Sequence, residues 1–305
     1  MGKERGSVSF GMIFNIQRFS IYDGPGARTT VFFKGCNLRC KWCHNPESIP
    51  SKPQLEFYPD RCIGCGKCLE VCPTGAQGVD AEGAHVIDRE ACVNCMKCVD
   101  TCYAEALVAV GQRISADELM EAVMTDVPYY QRSGGGVTFT GGECMVQHDF
   151  LKEMLRRLKA EGIHTAVDTA GNVPWRLFEE ILADTDIFLY DVKAADPEVH
   201  RRLTGVENGL ILENLRRLCA AGKRIWIRIP YIPGCNDKEM PAIAALLEGL
   251  PVERVEVMPY HRLGEGKYAA LGLENTGPIC AIPTDAEIER VVEMLKQRDL
   301  PAYRS

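Results

Sequence analysis

The segment CIGCGKCLEVCPTGAQ at residues 62–77 returns thirty residues later as CVNCMKCVDTCYAEAL at 92–107, each copy carrying the same Cys-x2-Cys-x2-Cys-x3-Cys spacing. Eight thiols packed this closely are metal ligands or cross-links, and the backbone around them has to wrap whatever they hold. Fifteen cysteines would suit a disulfide scaffold in a small secreted protein, but eleven of those in this chain fall into three groups with only two or three residues between neighbours, which is ligand spacing. Two tetrahedral zinc sites would also accept eight cysteines, and that reading competes. Four cysteines within eleven residues, twice over, fit a pair of [4Fe–4S] clusters better. In that pattern three cysteines of one copy and the last cysteine of the other share a cluster. Cys62, Cys65, Cys68 and Cys102 are then assigned to one cluster, and Cys92, Cys95, Cys98 and Cys72 to the other. Pro73 follows the fourth cysteine of the first copy as the pattern expects, whereas Tyr103 replaces it in the second and removes no ligand.

A third group, Cys36, Cys40 and Cys43 in GCNLRCKWCHN, supplies three thiolates to a centre that normally takes four. A four-iron cube held by three cysteines keeps one iron open to bind and reduce a substrate, while a fully ligated cube mainly passes electrons. Cys144, Cys219, Cys235 and Cys280 are left over and read as small buried residues.

With 305 residues, 46% hydrophobic and 25% charged, the chain can bury a substantial core and reads as one large domain with a small insertion. Its net charge of −7, without any basic block, argues against nucleic acid and against a polybasic membrane patch. No run approaches the ~18 apolar residues of a membrane span, and MGKERGSVSFGMIF is too poor in apolar residues for a signal peptide. The expectation is a cytoplasmic protein, where thiols stay reduced, with no membrane or nucleic-acid partner. Outside the cysteine repeat, short apolar runs at 29–33, 136–140, 164–168, 187–192, 224–229 and 254–258 alternate with segments of helical period at 116–124, 149–161, 174–182, 210–221, 240–250 and 284–296. Strand-then-helix alternation predicts a parallel sheet, whose reactive groups gather after the strands. There the sequence places the cysteine triplet, Gly141-Gly142-Glu143, Asp168, Asp191 with Lys193, Arg228 and His261. The two glycines let a ligand approach the backbone, and Glu143 can accept hydrogen bonds from an ammonium group. Asp191 and Lys193, two apart on a strand end, share one face; an ordinary surface ion pair is the competing explanation.

Together, YDGPGARTTVFFKGCNLRCKWCHN at 22–45, with Trp42 before the third cysteine, and the GGE, DTAG, DVK and MPYH segments in order resemble the radical S-adenosylmethionine superfamily. More narrowly, they resemble the glycyl radical enzyme activating enzymes that carry a ferredoxin-like insert. The resemblance implies an α/β fold: a partial (β/α)6 TIM-type barrel from residues 1–52 and 111–305, with a ferredoxin-like domain bearing two [4Fe–4S] clusters inserted at 53–110. It implies three clusters in all, with S-adenosylmethionine chelating the open iron of the Cys36/Cys40/Cys43 cluster. Trp42, Gly141, Gly142, Glu143, Asp168, Asp191, Lys193, Arg228 and His261 correspond to cofactor contacts, and the aspartates imply a monovalent cation. The Tyr22–Gly26 signature, with its tight turn, is expected to brace the cluster loop. Cys144 stands where these enzymes usually have proline, which predicts a looser turn and a thiol near the cofactor.

The implied activity is reductive cleavage of S-adenosylmethionine to a 5′-deoxyadenosyl radical that takes the α-hydrogen of a glycine in a partner glycyl radical enzyme. Flavodoxin or ferredoxin is the implied reductant, and the setting is anaerobic. Two alternatives stay open on the sequence: a radical enzyme acting on a small molecule or peptide, and a non-catalytic electron-transfer polyferredoxin. The insert makes the insert-free pyruvate formate-lyase activase a poorer match. Nothing in the sequence selects among lyases, dehydratases and decarboxylases as the partner.

Overall fold

A computed structural model describes residues 9–274 and 281–305, so Cys280 and the first eight residues of the N-terminal segment lie outside the described residues. The strands, in chain order, are β1 (Phe10–Ser20), β2 (Arg28–Phe33), β3 (Gln54–Phe57), β4 (Gln77–Val79), β5 (His85–Ile87), β6 (Leu107–Val110), β7 (Gln112–Ser115), β8 (Gly136–Gly141), β9 (His164–Thr169), β10 (Ile187–Asp191), β11 (Arg224–Tyr231), β12 (Arg254–Pro259) and β13 (Ala302–Arg304). Nine of them form one sheet in the order β13-β12-β11-β10-β9-β8-β2-β1-β7. The run from β2 to β12 is parallel throughout, and each strand is laid beside its predecessor. Stepwise addition with right-handed crossovers puts the connecting helices on one face.

Burial explains why these segments pair. In β8 and β10 the first four residues are buried without a break, the mark of a strand covered on both faces, and cover thins only at the last residues. Helix His148–Ala160 presents Phe150, Leu151, Met154, Leu155 and Leu158 on one stripe, all buried. Helices Ala116–Met124 and Asp285–Lys296 start where Ser115 and Thr284 close capping boxes with Glu118 and Glu287.

The six expected strands and most of the expected helices are found within a few residues of their limits. The expected helix at 174–182 is shorter: Trp175–Glu179 is helical, and Leu182–Asp184 forms a separate 3-10 turn. The strand-then-helix reading missed the 11-residue β1 and several short elements, namely β7, β13 and helices Val127–Ser133, Pro197–Thr204 and Glu265–Leu271.

The repeat is structural as well as sequential. Helices Lys67–Val71 and Lys97–Asp100 follow residues in the left-handed region at equivalent positions, Gly66 (φ 72°) and Met96 (φ 63°). Gly64 and Asn94, and Gly75 and Glu105, also share positive φ. The second copy therefore keeps the backbone path of the first at positions where its side chains make that path unfavourable. Around these helices β3 pairs with β6 and β4 with β5, both antiparallel.

The Tyr22–Gly26 segment turns as expected before β2, with Gly24 and Gly26 at positive φ. Its Tyr22 and Asp23 reach Arg228 on β11, and its Pro25 is held at the entry end of β2 by Arg28. That fully buried guanidinium donates from Nε to Thr138 Oγ1 at 2.5 Å, from Nη1 to the Pro25 carbonyl at 3.0 Å and from Nη2 to the Val137 carbonyl at 2.7 Å. Its direct partners are neutral, so burial lowers its pKa to about 10, against the pull of Asp23. Arg28→Ala strands these acceptors and is expected to cost about 3 kcal/mol or more, read as a lower urea midpoint.

Candidate functional site

The loop after β2 carries Cys36, Cys40 and Cys43, all half-buried. It is tied down from several sides: Gly35 N–H donates to the Ser48 carbonyl at 2.7 Å, Cys36 N–H to Ile49 at 3.1 Å, and Arg39 and Lys41 N–H to Thr204 and Leu203 at 2.7 and 3.0 Å. Tyr268 O–H donates to the Cys43 carbonyl at 3.0 Å. Burial pushes each of the three thiols up to about 11, and each also feels another of the three, so they lie near one another. Lys193 opposes the shift in all three.

Trp42, 8% exposed, packs with Leu203, Ile232 and Tyr260 against Cys40, a pillar under the loop. His44 stacks on His261 with ring centroids 3.9 Å apart, and its Nε2 lies 2.8 Å from the His261 carbonyl oxygen. His261 is thereby brought to the rim of the cysteine loop.

The strand ends supply the rest. Lys193 Nζ donates to Asp191 Oδ2 at 2.6 Å. Burial alone would lower the Lys193 pKa, but Asp191 and the Cys40 thiol outweigh it, and the ammonium is held well above its usual value. Side-chain exposures of 11% and 23% rule out an ordinary surface pair. Arg228 donates from Nη1 to Asp168 Oδ2 at 2.9 Å, and from Nη2 to the Tyr22 carbonyl at 2.5 Å and Asp23 Oδ1 at 3.2 Å. Glu256 lies 3.6 Å from its Nε. Asp168 also accepts from Thr140 Oγ1 at 2.6 Å; burial raises its pKa to about 6 against the opposing pull of Arg228.

Glu143 is spent on the protein itself. Fully buried, it accepts from Met145 N–H at 3.1 Å, Thr169 Oγ1 at 2.8 Å and Ala170 N–H at 2.9 Å. It therefore welds the Gly-Gly turn to the end of β9. The turn is tight despite Cys144: Glu143 caps the 3-10 helix Cys144–Gln147, and a Cβ on Gly141 (φ 121°) would meet Phe33 N at 2.3 Å. Cys144 is buried in the core with its Sγ 3.5 Å from the Asp168 carbonyl, below the mouth rather than facing it. Cys219 is buried in the same core, and half-buried Cys235 packs beside Trp42.

The eight repeat cysteines ring two cavities. One is lined by Cys62, Cys65, Cys68 and Cys102 with His85 and Leu107, the other by Cys72, Cys92, Cys95 and Cys98 with Gln77 and Asn94. The last cysteine of each copy thus crosses to the other cavity. Among the described residues no three His, Cys, Asp or Glu side chains meet at a single metal position. Thiols spaced around a cavity fit a four-iron cube, which is gripped at its corners, rather than one tetrahedral zinc.

Comparison with known proteins agrees. Residues 99–247 match the Radical SAM superfamily, 54–103 a 4Fe-4S dicluster domain and 22–69 a 4Fe-4S single cluster domain. The choline trimethylamine-lyase activating enzyme of Oleidesulfovibrio alaskensis is 40% identical, over 95% of this chain and 96% of its own. The chain belongs to the glycyl radical enzyme activating enzymes of the radical S-adenosylmethionine superfamily. Other relatives are the isethionate sulfite-lyase activating enzyme of Desulfovibrio desulfuricans, 43% identical over 87% of each chain, and the trans-4-hydroxy-L-proline dehydratase activating enzyme of Clostridioides difficile, 39% identical over 93% and 96%. The structure of Streptococcus suis SuiB bound to precursor peptide SuiA shares the fold, with a TM-score of 0.53 at 14% identity over 88% of this chain and 46% of that one. As a member of this family the chain is an oxidoreductase that uses S-adenosylmethionine and iron–sulfur clusters, and the non-catalytic polyferredoxin reading falls. Among the described residues no helix is long and apolar enough to cross a membrane.

Sequence reasoning missed Tyr268, Thr140 and Asp23 as parts of this site; Asp23 alone had a signal, lying inside the quoted signature. Glu143 gives a pH test. Its carboxyl is harder to ionise folded, at about 7, than at its ordinary 4.5, because of burial. It holds its proton more tightly in the folded chain, so its contribution to stability is full below pH ~4.5 and is lost as pH rises through 7. Glu143→Gln is expected to flatten thermal stability between pH 5 and 7.5 relative to the parent chain.

Proposed function

We propose that the end of the parallel sheet is the S-adenosylmethionine site of an activase that installs a glycyl radical on a partner enzyme, and that its sheet is a partial barrel spanning residues 1–52 and 111–305. The observation that carries this reading is the meeting, at the strand ends, of three neighbouring thiols with the Asp191–Lys193 pair and the Asp168–Arg228 pair. Asp23 supports the curvature: it accepts from Thr30 on β2 and from Arg228 on β11. Those strands are four places apart in the sheet, about 19 Å if it were flat, so one aspartate reaches both only where the sheet wraps.

Cys36, Cys40 and Cys43 would hold a [4Fe–4S] cluster with one open iron. The 53–110 segment would be a ferredoxin-like insert holding two more. When bound, cluster and S-adenosylmethionine supply one-electron cleavage at the sulfonium and the capacity to abstract hydrogen from carbon. The chain's residues bind, orient and exclude water. Asp23, Asp168, Asp191 and Glu256 outnumber Arg228, Lys193 and Arg254, so the mouth is net negative and suits the positive sulfonium and ammonium groups, and a monovalent cation would sit beside Asp168 and Asp191. Lys193 would face the methionine carboxylate. Glu143 would act through the backbone it fixes, leaving the Gly141-Gly142 turn to meet the amino group, while Trp42 and His261 would bound the cluster side. No general base is needed for hydrogen-atom abstraction.

The partner class follows from the relatives, whose names cover lyases, dehydratases and a synthase. Flavodoxin or ferredoxin would be the reductant, in an anaerobic cytoplasm. The test is anaerobic: the reconstituted, reduced chain with S-adenosylmethionine and a panel of glycyl radical enzymes is assayed for 5′-deoxyadenosine and for the glycyl doublet by electron paramagnetic resonance. A doublet in one partner, lost in Cys40→Ser, is expected. Cofactor cleavage without a doublet in any member would instead favour a small-molecule or peptide substrate.

A further inference from the structure

We propose that Gln77 makes the two accessory clusters unequal, raising the reduction potential of the one held by Cys72, Cys92, Cys95 and Cys98. The inference rests on the reading of the two cavities as cluster sites. In the repeat, Gln77 is the counterpart of Leu107: each opens the strand that follows its copy's last cysteine, β4 and β6. The crossing of the copies sends Gln77 into the wall of one cavity and Leu107 into the wall of the other. One cluster site is thus given an amide where its twin is given a hydrocarbon.

Gln77 is only 6% exposed, so its amide has to be satisfied inside the protein. Its Nε2 lies 3.5 Å from Cys98 Sγ, and its Oε1 lies 2.7 Å from His85 Nε2. The chemistry fixes this orientation. A cysteine that ligates iron is a thiolate and only accepts hydrogen bonds, so the amide nitrogen faces Cys98. The amide oxygen then faces His85, which must carry its proton on Nε2. His85 belongs to the other cavity, with Nε2 3.6 Å from Cys68 Sγ and Nδ1 3.9 Å from Cys62 Sγ, its ring edge-on to Phe57 at 4.6 Å. Because Nε2–H is engaged by Gln77 at the shorter distance, His85 serves mainly to hold the amide, not the sulfurs beside it. Gln77 therefore stands between the two sites and donates to one.

Reduction by one electron adds negative charge to the cluster and its sulfurs. An N–H aimed at a ligand sulfur stabilises the reduced form more than the oxidised form and raises the potential. Leu107 offers the other cluster no such donor. Gln77 is a positioning residue, acting on the electronics of a group it does not ligate.

The experiment uses the full chain with Cys36, Cys40 and Cys43 replaced by Ala, so that only the accessory clusters load. It compares this parent with Gln77→Leu, which installs the residue its counterpart already carries, and with Gln77→Glu, which keeps the size and at pH 8 has no donor. Iron and sulfide analysis tests the cluster reading independently of Gln77: about eight irons per parent chain supports it, and zinc or no iron would sink it. With clusters loaded, a redox titration followed by electron paramagnetic resonance is expected to show one midpoint falling in both variants, by about tenfold in the reduction equilibrium or ~59 mV for a one-electron couple, while the other falls less or not at all. The midpoint that falls should belong to the signal that Cys98→Ser perturbs. Unchanged midpoints in both iron-replete variants, or a fall confined to the cluster that Cys62→Ser perturbs, would overturn the proposal. Loss of a cluster from both variants would also overturn it, by assigning Gln77 to assembly instead of potential.

Discussion

The mouth of the sheet is organised by one buried cation. Arg228 has a side-chain exposure of 6% and meets Asp168 on β9, Glu256 on β12 and Asp23 in the segment before β2. Burial alone would lower its pKa, but the surrounding carboxylates outweigh that and hold it charged. An isolated buried charge costs several kcal/mol, and so does a buried carboxylate without a partner, so neither side of this cluster is stable without the other. The same guanidinium donates to the Tyr22 carbonyl, which ties the segment before the first parallel strand to the fifth. Charge balance at the mouth and the placement of Asp168 therefore rest on one side chain.

A second set of contacts joins the cysteine repeat to this sheet. Helix Glu265–Leu271 stands between them: Tyr268 donates to the Cys43 carbonyl, Lys267 donates to Asn45 and Glu47, and the Ala270 carbonyl accepts from Arg89. Arg89 also donates to the Leu55 carbonyl, and Leu55 lines the cavity of Cys72, Cys92, Cys95 and Cys98. The cysteine loop and this cavity are thus both tied to one short helix. Such a connection fixes distance, the quantity on which any electron relay would depend, through Tyr268 and Arg89 bonds to backbone carbonyls and the Lys267 bonds to the Asn45 and Glu47 side chains.

Much of this was legible in the sequence because it is periodic or locally capped. The six central strands are short runs dominated by apolar and β-branched residues, and the capping boxes at Ser115 and Thr284 mark their helices outright. The thirty-residue repeat, with the crossing rule, put the eight thiols in the quartets that line the cavities. What could not be read depends on neighbours distant in sequence. Glu143 offers a carboxylate, but only the packing of Thr169 and Ala170 against it reveals that its oxygens are already engaged. Tyr22–Gly26 marks a turn, but not that Tyr22 and Asp23 meet Arg228 on β11. Helix Pro197–Thr204, which holds the cysteine loop through two carbonyls, did have a local signal in Asp196, whose side chain accepts from Val199 N–H at 2.9 Å, with proline next to it.

The central claim is that one of three clusters has an open iron and the other two do not. The most direct test is Mössbauer spectroscopy of the fully reconstituted chain, with and without S-adenosylmethionine. The account predicts about twelve irons, of which a single site changes its coordination when the cofactor is added, and predicts that Cys40→Ser abolishes that change while the accessory clusters stay. A spectrum indifferent to the cofactor in the iron-replete chain, or one in which an accessory quartet supplies the responding iron, would contradict it.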